Sequence, residues 1–215
     1  MEYRRFTKMV LGQILYGFSI TLTLQANIGY CPWDVFHAGV ANVLHISIGN
    51  SITLISVLLF LLSFPMKWRI GAGTIVNVLI CGNSVDFFRR FVPQMHQFFP
   101  GLLMFVVGIV TLAFASYLYI EPGYGTSVRD SFFVFLTKRL GGSVAFARIL
   151  MEIGLILIGF LLGGKVGVGS VVSCLICGPC MQFINKQLHF CLADVQHESI
   201  TATIKRMASA VRHGK

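Results

Sequence analysis

Two aspartates stand where carboxylates are costly. Asp34 lies in Gly29-Tyr30-Cys31-Pro32-Trp33-Asp34-Val35-Phe36-His37, between two long apolar runs, and Asp130 lies in Gly125-Thr126-Ser127-Val128-Arg129-Asp130-Ser131-Phe132-Phe133. An ionisable group at membrane depth faces a cavity, a partner or a pathway, because hydrocarbon solvates it poorly. Asp34 therefore reads as a ligand or proton site, with Trp33 and His37 beside it. Asp130 has Arg129 next to it and reads as one half of a structural ion pair. A helix cap is the alternative for both, since each lies near a helix start, where an Asp side chain accepts backbone N–H groups. Thr74 and Asn77 follow Gly71 and Gly73 in a broken helix start, which offers backbone dipoles to a ligand. Packing through small residues is the competing account of those glycines. Gln25 and Glu121 end the first helix of each half and read as lining one cavity from opposite sides. His37 also reads as a satisfied polar residue, and Trp33 as an anchor at headgroup level. Arg148 and Glu152, four apart, read as a pair within one helix.

Other chemistries find little support. Cys177-Gly178-Pro179-Cys180 spells a dithiol redox motif, but that motif works at a helix start after a strand, where the thiolate is stabilised. Here it sits inside an apolar helix, where Gly and Pro mark a kink. Cys174, Cys177 and Cys180 have no His or further Cys to complete a zinc set. No phosphate loop, nucleophile triad or zinc-protease motif occurs, so no catalytic residue, metal or cofactor is assigned and the chain is not read as an enzyme.

These residues must be held by helices in a membrane. The 215 residues are 55% hydrophobic and 12% charged, with mean hydropathy +0.78. Soluble domains carry about 25% charged residues. The net charge of +9 reflects Lys and Arg gathered in cytoplasmic loops, not nucleic-acid binding. The basic start from Met1 to Lys8 leads into an apolar run too long for a signal peptide, so it reads as a retained first helix. The chain also repeats itself. Between Val10 and Phe88, 21 of 79 residues are identical to the residue 96 positions further on, without a gap; composition alone would give roughly six. Spans are expected near Met9–Ala26, Ile46–Met66, Ile70–Phe88, Gly101–Ile120, Ser143–Leu162 and Val166–Ile184. Trp33–His45 and Val128–Leu140 are about 20 Å as helices, too short for a core of about 30 Å, and read as re-entrant or interfacial. After Lys186 the tail carries Ile200, Ile204, Met207 and Val211 at helical spacing, which fits either a surface amphipathic helix or a solvated one.

Six spans with the N-terminus inside put thirteen of the seventeen Lys and Arg in the cytoplasm. Arg89, Arg90 and Lys165 fall outside, and Arg148 at a helix start. Three crossings per copy turn the second copy upside down, an inverted repeat.

At Gly29-x-x-Pro32-Trp33-Asp34-Val35-x-His37 and Gly71-x-Gly73-Thr74-x-x-Asn77 the sequence resembles the YczE/YyaS/YitT family of bacterial integral membrane proteins. Arg129-Asp130, Gly163-Gly164-x-x-Gly167-x-Gly169-Ser170 and Gly178-Pro179 look like that family's later half. The similarity covers about residues 8–186. It implies a protein of the bacterial cytoplasmic (inner) membrane and names no chemistry.

The expectation is an all-α membrane protein of six transmembrane helices, built as two inverted three-helix repeats. Each repeat carries a short re-entrant or interfacial helix. Residues 1–96 form the first repeat, 97–188 the second and 189–215 a basic cytoplasmic tail, with both termini cytoplasmic. The expected function is a secondary transporter or permease for a small molecule or ion. Its partners are lipids and that substrate, and a homodimer is compatible. A non-transporting membrane scaffold is the alternative, and a membrane thiol oxidoreductase a third.

Overall fold

The structure is a computed structural model that describes residues 2–63, 71–125, 127–140 and 144–190. The described residues form eight helices and no strand: α1 Glu2–Gln25, α2 Pro32–Leu44, α3 Ile48–Ser63, α4 Ala72–Phe88, α5 Phe98–Ile120, α6 Val128–Leu140, α7 Val144–Leu161 and α8 Val168–Gln187. The order is that of the sequence reading, short helices included. The proposed tail helix and the basic stretch Lys67–Arg69 lie outside the described residues.

Apolar side chains cover the outside of the bundle. Leu58 and Leu61 of α3, Leu103 of α5, Leu157 and Phe160 of α7, and Val171 and Leu175 of α8 are exposed. The interior holds Gln13, Ser19, Thr21, Thr23, Asp34, His37 and Asn77, each almost fully buried. An apolar exterior around a polar interior suits a surrounding of lipid and not of water. Among the described residues, α5 and α8 are each long and apolar enough to cross a membrane. The pair α2 and α3, bent by 104°, makes a third if counted as one broken span. Helix α1 has the length, but its mean hydropathy is lowered by an exposed polar start at Tyr3, Arg4 and Thr7 and by Gln13, Ser19, Thr21 and Thr23 buried further along.

Local chemistry sets the breaks. Pro32 opens α2, where its missing N–H costs nothing. His45 closes it in the left-handed region, its N–H turned back to the Ala41 and Asn42 carbonyls. Asp86 of α4 then holds the start of α3, accepting from the Ser47 hydroxyl and from the Gly49 N–H at 3.0 Å. Helix α2 buries Pro32, Asp34, Val35, His37, Ala38, Gly39 and Ala41. One face of α2 is thus packed against the bundle, while Val43 and Leu44 at its end are exposed.

Helices α1 and α5 are each other's mates under the offset of 96, and they pack antiparallel. Gly12 abuts the Tyr119 backbone and Gly108 abuts Thr23. The halves also exchange contacts. The Ile28 carbonyl accepts from the Gly169 N–H at 2.8 Å, and the Tyr124 carbonyl from the Gly73 N–H at 2.8 Å. These two bonds map onto each other at the same offset. Beside them Gly29 (φ 116°) seats on Gly167, and Gly125 (φ 110°) on Gly71. Both turns need a residue at positive φ with no Cβ. At each helix start a hydroxyl closes the turn: Thr74 Oγ1 accepts from Gly71 N–H at 3.3 Å, and Ser170 Oγ from Gly167 N–H at 3.2 Å.

Candidate functional site: a buried polar cluster between α1, α2, α4 and α6

Period places the residues together before packing does. Asp34 and His37 are one turn apart on α2, so they share a face. Trp33 sits at the edge of that face, and its ring stacks on His37 with centroids 5.9 Å apart. Gln13 and Tyr16 share a face of α1 in the same way, and Asn77 and Cys81 a face of α4. The Asn77 amide donates to Gln13 Oε1 at 2.7 Å, tying α1 to α4. Arg129 comes from α6 in the other half. Its guanidinium lies over the rings of Tyr16 and Trp33, 5.4 and 5.9 Å from the centroids. It also donates to Cys81 Sγ at 3.7 Å. It is the charge that acts electrostatically on both Asp34 and His37.

The cluster is buried and incompletely satisfied. Asp34 is 2% exposed and His37 and Gln13 are 0% exposed. Asp34 Oδ1, Gln13 Nε2 and both ring nitrogens of His37 are buried with no hydrogen-bond partner among the described residues. Buried polar atoms in folded proteins are nearly always paired, so these four orphans single the cluster out as the candidate site.

The sequence-derived residues separate into two groups. Asp34, Trp33, His37, Arg129 and Asn77 come together here. Thr74, one turn before Asn77, serves the start of α4. Gln25 and Glu121 do not join them. Gln25 Nε2 donates to the Val92 carbonyl at 2.7 Å, and Glu121 pairs with Lys8 at 3.0 Å; α1 and α5 run antiparallel, so their ends lie at opposite ends of the bundle. Asp130 stands in α6, and its side chain lies outside the described residues. Trp33 is half-buried, its ring against His37, Arg129 and the edge of Phe132. Capping does not account for Asp34 Oδ1, since α2 is capped at Cys31 with no side-chain bond. Arg148 and Glu152 form the expected pair at 2.9 Å. Gln13, Tyr16 and Cys81 were not singled out from the sequence. A clue to Gln13 was present: its mate in the second half is Ile109.

Among the described residues no group of three or more His, Cys, Asp or Glu could hold a metal. Pro179 lies inside α8, and Cys177 and Cys180 are free thiols. A separate open cleft of about 630 Å³ lies at one end of the bundle, between Asn27, Met95, Phe98, Phe160, Lys165 and Val168.

The model of a family of unknown function, DUF6198, matches residues 3–186. The chain is 27% identical over 183 residues to "Uncharacterized membrane protein YczE" of Bacillus subtilis (strain 168), covering 83% of this chain and 84% of that protein. It is 29% identical over 182 residues to an uncharacterized protein of Haemophilus influenzae (strain ATCC 51907 / DSM 11121 / KW20 / Rd), covering 85% and 84%. It is 20% identical over 168 residues to "Uncharacterized protein YyaS" of Bacillus subtilis (strain 168), covering 76% and 83%. No solved structure matches.

Proposed function

This chain belongs to the DUF6198 family of YczE/YyaS-like membrane proteins, and we propose that it moves a small polar solute across the bacterial cytoplasmic membrane through the buried cluster. The observation that carries this is the set of orphaned polar atoms on Asp34, His37 and Gln13, at the centre of an apolar bundle. A scaffold has no use for unpaired polar groups in its core, each of which costs stability.

The architecture we infer has six crossings: α1, the bent α2–α3 pair, α4, α5, the α6–α7 pair and α8. Residues 1–96 and 97–188 are inverted copies, and both termini face the cytoplasm. The antiparallel α1–α5 pair and the reciprocal bonds of Ile28 with Gly169 and Tyr124 with Gly73 support this reading, because a two-fold relation makes each contact twice. Transporters of this plan bind substrate where the copies meet, beside broken helices. Here Arg129 of the second copy completes a cluster built on the first. With no nucleotide-binding motif in the sequence, movement is downhill, coupled to a second gradient or powered by a separate partner.

Reconstituted vesicles test the proposal. Asp34→Asn should abolish solute movement while the protein still folds and elutes as wild type. Full activity in that variant removes Asp34 from the pathway and ends this reading.

A further inference from the structure

The open cleft is separate from the buried cluster and has a chemistry of its own. Helices α5 and α8, each long and apolar enough to cross a membrane, begin at its rim with Phe98 and Val168, while α1 and α7 end beside it. Spans begin and end where hydrocarbon gives way to headgroups, so the cleft stands at that level. Phe98, Phe160 and Val168 line it, and each is half exposed or more on the apolar outside of the bundle. The cleft is therefore continuous with the face that meets acyl chains.

Its polar side carries one sign. Lys165 and His96 line it with Asn27 and Gln97, and no Asp or Glu does. Lys165 Nζ donates to Asn27 Oδ1 at 3.3 Å and pairs with no carboxylate among the described residues. An ammonium has three donors, so two stay available, and the Gln97 amide adds its own. The volume of about 630 Å³ falls within the range of about 300–1,000 Å³ that small-molecule sites occupy. A free anion gains nothing from the three apolar side chains, and a lipid without net charge gains little from Lys165. A basic recess between helix ends that opens onto acyl chains suits an anionic lipid, which uses both. We propose that the cleft binds a phospholipid of net negative charge, its phosphate on Lys165 and its chains along Phe98, Phe160 and Val168.

The inference makes no use of the buried cluster and stands or falls apart from the transport reading. The full-length protein in detergent is titrated with phosphatidylglycerol and, separately, with phosphatidylcholine, and retained lipid is counted by native mass spectrometry. Phosphatidylglycerol should bind saturably and in preference to phosphatidylcholine. Lys165→Gln should raise its half-saturating concentration about fivefold, the share of one cation near an anionic lipid, and Lys165→Arg should keep the wild-type value. Gln97→Glu brings a carboxylate into the lining and should cause a similar loss. Gln97 is the N-cap of α5 and makes no side-chain cap bond, and an acid there suits the helix dipole, so this variant folds should Lys165→Gln not accumulate. The proposal is overturned if the two lipids bind equally, or if either Lys165→Gln or Gln97→Glu keeps the wild-type preference. Displacement of phosphatidylglycerol by millimolar inorganic phosphate overturns it in favour of a soluble anion. A change of oligomeric size in these variants in place of lipid loss overturns it in favour of a second copy of the chain.

Discussion

At the scale of the residue, the cluster is a problem of buried charge. Asp34 and Arg129 are not in direct ion-pair contact, yet leaving a buried charge without the opposite charge that acts on it is costly, by up to about 3–5 kcal/mol for a contacting pair, whereas removing both is much milder. Arg129 is the charge acting on Asp34 from another helix. Asp34→Asn leaves a guanidinium that still lies over two aromatic rings and reaches Cys81. Arg129→Gln leaves a carboxylate buried to 2% exposure. The Arg129→Gln variant should therefore lose several degrees more in thermal unfolding than Asp34→Asn. The double variant should regain part of that loss, with a coupling on the order of 1–3 kcal/mol. Additive losses in the double-mutant cycle would mean that the two charges do not meet. Much of this site was legible in the sequence, because Asp34, His37 and Arg129 are conspicuous in apolar surroundings. Gln13 was not, since one carboxamide in an apolar helix is ordinary until its partner Asn77 is known. The packing of Trp33 on His37 and Arg129 was not legible either, because a tryptophan's type does not say which way its helix leans.

At the scale of the element, helix starts are seated on turns from the other half. A Cβ on Gly71 would lie 2.0 Å from the Tyr124 carbonyl oxygen, and one on Gly167 2.5 Å from that of Ile28. Neither backbone can give way without breaking the bond beside it, Gly73 to Tyr124 or Gly169 to Ile28. Gly71→Ala and Gly167→Ala should each lower stability by about 1–3 kcal/mol, measured by thermal unfolding in detergent. Gly154 of α7 is the control, because a Cβ there meets nothing within 4 Å. Gly154→Ala should be neutral or gain up to about 1 kcal/mol from helix propensity. The Cys177→Ser/Cys180→Ser double variant should also be near neutral, since both are free thiols within α8; a thiol-trapping shift that tracks growth conditions would contradict this. The gapless recurrence of Gly29, Gly71 and their mates announced that these glycines matter. It could not announce that each contacts the mate of the other, because periodicity fixes a face and spacing but not a partner.

At the scale of the whole molecule, the cleft ties two distant stretches to one side. Lys165 Nζ donates to Asn27 Oδ1 at 3.3 Å, and Asn27 Nδ2 donates to the Met95 carbonyl at 3.2 Å. At the far ends of α1 and α5, Lys8 pairs with Glu121 at 3.0 Å and Arg5 donates to the Pro122 carbonyl at 3.0 Å. On the proposed topology the excess of Lys and Arg puts this second end in the cytoplasm and the cleft outside. Single cysteines placed at Met95 and Lys165, after replacement of the six native ones, should both react with a membrane-impermeant maleimide added to intact cells. Cysteines at Arg5, Glu121 and Lys67 should react only after the cells are opened. The two cleft positions must behave alike whichever side they occupy, because Asn27 holds them together; different behaviour would contradict the fold itself. Labelling of Glu121 together with Met95 would mean that α5 does not cross. The antiparallel α1–α5 pair would then lie on one side of the bilayer, and a cluster that borrows Arg129 from the second half could not sit between two aqueous faces.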